Sequence, residues 1–168
     1  VEGEIGPPRA HRETVLVLSL VEAVLGEGER AHVLAEEGIA LGERLGSPFI
    51  TAVGYMRLGH AIQLSGRYAE AAGSYRAAIT LGDSLSVRRT RAEAMWGLTR
   101  AYGYGGDLES AASAAAEGIE IASESGDIWL MALAHLALGA SLQLAGRNQE
   151  AIAVLGKALS AFRECHDT

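Results

Sequence analysis

The sequence predicts an all-α fold, a right-handed superhelical solenoid of four helix-turn-helix units with eight antiparallel helices. Three observations lead there. Aromatics make up only 5% of the chain while Gly numbers 21 and Pro only 3, a composition that suits closely packed helices better than strands. Gly26, Gly66, Gly106 and Gly146 recur at intervals of 40 residues, and a fixed period of that length marks a stacked-repeat architecture. The other columns keep step: Leu18, Leu58, Leu98 and Leu138 before each Gly, Ala31, Ala71, Ala111 and Ala151 after it, and the branched aliphatics Ile39, Ile79, Ile119 and Leu159 further on.

Each repeat divides into two helical patterns. Between the Leu and Gly columns, apolar residues fall at helical spacing, as in Tyr55, Leu58, Ile62 and Leu64, and the pattern stops at Ser65-Gly66. This is helix A. After the Gly comes a polar residue (Glu27, Arg67, Asp107, Arg147) and a second pattern such as Ala71, Tyr75, Ala78 and Ile79, which is helix B. The B helices close near Leu45-Gly46, Leu85-Ser86, Ser125-Gly126 and Cys165-His166. Ser47 before Pro48 reads as an N-cap with Pro at the first helical position. The helices are expected at 9–25, 28–45, 48–64, 68–85, 87–104, 108–125, 128–145 and 148–165, in one domain over 1–168 with units 8–46, 47–86, 87–126 and 127–166.

Glycine within a helix costs about 1 kcal/mol relative to Ala, so Gly59 and Gly139 need a reason. Their column holds Ser19 and Thr99 in the other units. Small residues there predict close approach of A and B, with the Ala column of helix B facing the gap.

In the second unit the residues Tyr55, Leu58, Gly59, Ile62, Ala71, Tyr75 and Ala78 resemble the tetratricopeptide repeat (TPR) at every spacing. The fourth unit follows with His135, Leu138, Gly139, Leu142, Ala151, Leu155 and Ala158. Two departures stand out: the period is 40 in place of 34, and Asp83 and Ser123 replace the family's Pro at the end of helix B. The long repeats and their Leu-Gly-Ser and Ser-Gly-Asp joints look like the helical-repeat region of MalT-type regulators, the large ATP-dependent LuxR-related bacterial transcription activators. That resemblance implies a module that senses an inducer or partner protein and governs self-association; a reducing cytoplasm is the setting that the single cysteine, Cys165, fits.

Composition narrows the partners. A net charge of −7 disfavours direct binding to nucleic acid or anionic lipid. The apolar run Val15 to Leu25 is far shorter than the roughly 20 residues that cross a bilayer. The single cysteine, Cys165, excludes an internal disulfide framework. The chain opens on Val1, and a piece of a longer protein is expected.

In a solenoid of this kind the helix A face turned from helix B lines the concave side. Its columns collect Val53, Met56, His60 and Gln63 from the second unit and Glu93, Trp96, Arg100 and Gly103 from the third, with Arg57 at the edge. The candidate groove is therefore Met56, Arg57, His60, Gln63, Glu93, Trp96 and Arg100, for a protein or peptide partner or a small-molecule effector. The alternative reading of these columns is a solvated face with incidental charges. Arg88, Arg89 and Arg91 open a helix, where the macrodipole disfavours cations; they await an anionic partner or pair with the carboxylate of Asp83.

A complete solenoid ends on polar outer faces, but Val15-Leu16-Val17-Leu18-Ser19-Leu20-Val21 is apolar all round and the last helix offers Ile152, Val154, Leu155, Leu159 and Phe162. Both ends are expected to be covered, by further repeats or by self-association, with Leu16, Leu20, Ile152, Leu155, Leu159 and Phe162 as candidates. The alternative function is accordingly a structural scaffold or homo-oligomerisation element acting through these helices. No phosphate-binding loop is present. The histidines His11, His32, His60, His135 and His166 lack metal-ligand spacing, and no Ser, His and acid set converges on one face. No cofactor, metal or enzymatic activity is expected, and His135 is expected to be a packed core histidine.

Overall fold

A computed structural model describes residues 9–85 and 87–166, with side chains from Thr14 to Cys165. Eight helices follow one another: α1 (Arg9–Val24), α2 (Gly28–Arg44), α3 (Pro48–Leu64), α4 (Tyr68–Leu85), α5 (Arg88–Tyr104), α6 (Leu108–Glu124), α7 (Ile128–Leu144) and α8 (Asn148–His166). Among the described residues there is no strand, and each boundary lies within one residue of its expected place.

The joints explain why the chain keeps this register. Gly26, Gly66, Gly106 and Gly146 take φ of 86°, 71°, 88° and 74°, a region that side chains with a Cβ enter only at a cost. Gly46 and Gly126 do the same at the B-to-A joints, with φ of 56° and 68°. The residue after the glycine then donates its N–H back to the last turn, as Glu27 does to Glu22 O at 2.9 Å and Arg147 to Leu142 O at 2.9 Å. This 6→1 closure satisfies carbonyls that a helix end leaves open. Three helices, α3, α6 and α7, start on a side-chain cap: Ser47 accepts from Ile50 N–H, Asp107 from Ser110 N–H and Asp127 from Leu130 N–H, at 3.5, 3.0 and 3.1 Å. The Asp107 carboxyl is held below the usual carboxylate range by the Ser110 hydrogen bonds. Ser86, expected at the joint before α5, lies outside the described residues.

Every helix packs on its sequence neighbour, and the A helices also touch in series, α1 on α3, α3 on α5 and α5 on α7. Among the described residues no B helix touches another B helix. The A helices therefore form the inner layer and the B helices the outer one. Between the layers the Ala column is sealed, with Ala31, Ala71 and Ala111 fully buried.

The small-residue column has a different explanation from the expected one. In the first unit Ser19 does meet the Ala column, its Oγ donating to Ala31 O at 2.8 Å. At Gly59 and Gly139, however, the gap is filled by a large side chain four residues further along helix B. A Cβ on Gly59 would stand 2.7 Å from the Tyr75 ring, and one on Gly139 would stand 2.6 Å from Leu155. Thr99 and Ser19 occur where the equivalent helix B position is Ala115 or Ala35. Volume is thus conserved at the layer contact while its two contributors trade size.

Candidate functional site

Tyr75 organises the centre of the molecule. Its ring enters the inner layer through a slot formed by Gly59 of α3 and Gly97 of α5, where a Cβ on either glycine would overlap it. Fully buried, the ring carries its hydroxyl through to the far side, where Oη donates to Gln63 Oε1 at 3.0 Å. Burial raises the phenol's pKa, partly offset by the positive charges of Arg100 and Arg57. Tyr75 entered the sequence reading only as a repeat-pattern residue. Gly97, one residue before Leu98, is the counterpart in α5 that the ring requires, and it stands outside the columns by which the repeat was read.

Around that hydroxyl the structure brings together six of the seven candidate residues, with His60 and Gln63 buried beneath the others. The His60 ring lies 5.5 Å from the Tyr75 ring and 5.5 Å from the Trp96 indole, edge-on to both. Arg57 Nη1 of α3 pairs with Glu93 Oε1 of α5 at 2.8 Å. The Arg100 guanidinium sits 5.1 Å from the Trp96 ring centre and 5.7 Å from that of Tyr104, a cation–π stack. Arg57, His60, Gln63, Glu93, Trp96 and Arg100 thus form one interlocked patch across α3 and α5. Met56 does not line it: at 1% exposure it belongs to the core with Tyr75 and Ala94.

This patch also holds the unusual polar atoms. His60 is 7% exposed, and neither ring nitrogen has a hydrogen-bond partner. Gln63 Nε2 and Arg57 Nε are likewise buried and unpartnered. Groups of this kind are almost always satisfied in folded proteins, because a buried unpaired donor costs roughly 1–3 kcal/mol. Burial, reinforced by the charges of Arg57 and Arg100, depresses the His60 pKa to about 3. The imidazole is therefore neutral at physiological pH, able to donate from one nitrogen and accept at the other.

The arginines at the start of α5 pair more widely than expected. Arg91 does reach Asp83, with Nε 3.2 Å from Oδ1, and also pairs with Glu117. Arg88 and Arg89 turn forward instead, to Glu124 at 3.3 Å and Asp127 at 2.8 Å. These contacts tie the third unit's two helices and the next joint together. His135 is half-buried, its Nδ1 2.9 Å from Met131 O.

At the ends the structure redistributes the candidates. Leu16 is buried against Gly38 and Leu20 is half-buried, so the open apolar residues of α1 are Val17, Leu18, Val21 and Val24. On α8, Leu155 sits against Gly139 and Phe162 stacks edge-on with Trp129 at 5.1 Å, leaving Ile152 and Leu159 exposed. Among the described residues no three His, Cys, Asp or Glu are placed to hold a metal ion, and no helix is long and apolar enough to cross a membrane.

Four antiparallel hairpins stacked with their A helices inward are the architecture of TPR-like helical-repeat proteins, and solved structures show the same fold. BtubC (BKLC) from P. vanneervenii superposes with a TM-score of 0.75 at 18% identity, over 99% of this chain and 69% of that one. The Rap protein solved in complex with Competence and Sporulation Factor gives a TM-score of 0.69 at 19% identity, over 95% of this chain and 48% of that one. The chain thus spans about two thirds of the first and about half of the second. No family model and no curated protein matches the sequence.

Proposed function

We propose that this chain is a non-catalytic protein-interaction module that receives a protein or peptide segment on the inner face of its second and third units. One observation carries the reading: His60, Gln63 Nε2 and Arg57 Nε are buried, polar and unpartnered at a single place. Beside them Trp96 and Arg100 remain partly open and offer an aromatic plane and a cation. A segment laid across α3 and α5 gains stacking area from Trp96, and a shift of the partly open Trp96 and Arg100 side chains lets its polar groups reach the orphaned atoms beneath. The Rap protein, which shares this fold over about half of its length, was solved in complex with Competence and Sporulation Factor, and this supports a binding role.

We infer from the likeness of the long repeats and glycine joints to those of MalT-type regulators that the module serves a bacterial signalling protein, in which occupancy of the inner face is sensed. The neutral His60, buried and flanked by the charges of Arg57 and Arg100, suits recognition better than proton transfer.

Selection of displayed random peptides against the chain tests the reading. Peptides that bind should lose at least tenfold in affinity when Arg100→Gln is combined with Trp96→Phe, with the helical circular-dichroism spectrum unchanged. Binding that survives the double variant removes the site.

A further inference from the structure

The centre of the inner face holds a positive charge that the chain does not neutralise, although its 21 acidic residues outnumber its 14 Lys and Arg. Among the described residues the half-buried cations are Arg57, Arg91 and Arg100. Arg57 pairs with Glu93, and Arg91 pairs with Asp83 and Glu117. Arg100 has no carboxylate within ion-pair distance among the described residues; its company is the rings of Trp96 and Tyr104, one helical turn to either side. Helix α5 lies between α3 and α7 in the inner layer, so neighbours that could supply a carboxylate stand on both sides of it. The patch's two arginines against its one glutamate leave a single positive charge. The free groups beneath are mostly donors. Gln63 Oε1 is taken by the Tyr75 hydroxyl, which leaves the N–H groups at Nε2 unpartnered, as Arg57 Nε–H also is.

We propose that the segment received on the inner face presents a carboxylate to Arg100, so that the module selects acidic segments. This rests on the binding role proposed above and names the chemistry it recognises. The two rings hold the guanidinium by its positive charge, while its N–H groups form a planar fork that fits the two oxygens of a carboxylate. A carboxylate only accepts hydrogen bonds, which matches the free donors of Arg57 and Gln63. Its single negative charge also balances the patch, whereas a phosphoryl group at about −1.5 to −2 overshoots it. An Asp or Glu side chain and the C-terminus of a segment both supply this group.

Random peptides displayed with free C-termini and selected against the chain supply the probes. Those that the Trp96→Phe, Arg100→Gln double variant weakens are inner-face binders, and each is remade with its Asp and Glu changed singly to Asn and Gln, and with its C-terminus amidated. In each such peptide one of these changes should cost about tenfold or more in affinity for the wild-type chain. The same change should cost less than about twofold against Arg100→Gln, since the carboxylate's partner is already gone. Loss on amidation identifies a terminal carboxylate, and loss on Asn or Gln substitution a side chain. Arg100→Met replaces Arg100→Gln if the latter lacks the wild-type helical spectrum. Inner-face binders indifferent to every carboxylate change, or a loss equally large against Arg100→Gln, overturn the proposal and leave the binding role standing. A selection whose peptides all ignore the double variant overturns both.

Discussion

Gly97→Ala should change sign with its surroundings. In an exposed helix that substitution stabilises by about 1 kcal/mol. Here the new methyl would overlap the Tyr75 ring, which Gly59 confines from the opposite side, where a Cβ would come within 2.7 Å. Overpacking of a sealed core costs about 1–3 kcal/mol, and a ring held between two helices can yield little, so the upper part of that range applies. The net expectation is a loss of about 1–2 kcal/mol. Tyr75→Ala alone should cost about 3–5 kcal/mol, since it opens a cavity at a fully buried position. With the ring gone, the obstacle to the methyl is gone too, and Gly97→Ala should then stabilise by up to about 1 kcal/mol. Urea denaturation of the four proteins closes the cycle, with a coupling energy of about 2 kcal/mol. A Gly97→Ala variant as stable as wild type, or effects that simply add, would refute the slot.

The other predictions use the same patch and the joints. His60 has a folded pKa of about 3 against an ordinary 6.5, so the unfolded chain binds the extra proton and stability falls as pH drops below 6.5. Between pH 7 and pH 5 the loss from this group is about 2 kcal/mol, and urea midpoints should show His60→Leu flattening that part of the profile. Arg57→Gln breaks a half-buried ion pair and should cost about 1–3 kcal/mol in the same assay, more than Arg88→Gln, whose pair with Glu124 is exposed. Gly66→Ala places a Cβ at φ 71° and should destabilise by about 1–2 kcal/mol. Gly73→Ala, in α4 with nothing near its Cβ, should raise the melting temperature by a few degrees.

The helices and joints were legible because a glycine that must take positive φ recurs at a fixed period, and every column can be counted from it. The composition of the patch was legible for the same reason: His60, Gln63, Trp96 and Arg100 fall on one stripe of their helices. What helical spacing does not encode is how deeply the stripe is covered. Met56 lies on that stripe, yet the contact of α3 with its neighbours closes over it. Leu16 and Leu18 are two residues apart on an all-apolar helix, and only the position of α2 decides that Leu16 is buried and Leu18 open. Tyr75 approaches from the outer layer, so no reading of the A helices alone could place it at the inner face. The forward pairing of Arg88 with Glu124 and of Arg89 with Asp127 depends on how α6 and the joint after it lie against the start of α5, which local sequence does not carry.

The most direct measurement of the central claim is a nitrogen-15 NMR titration of the chain with a peptide selected by display, following the side-chain signals of Arg57 Nε, Gln63 Nε2 and the His60 ring. The account predicts that these signals shift together and saturate with binding, alongside the indole N–H of Trp96. Shifts confined to the outer helices or the two ends, with those four signals unmoved, would contradict it.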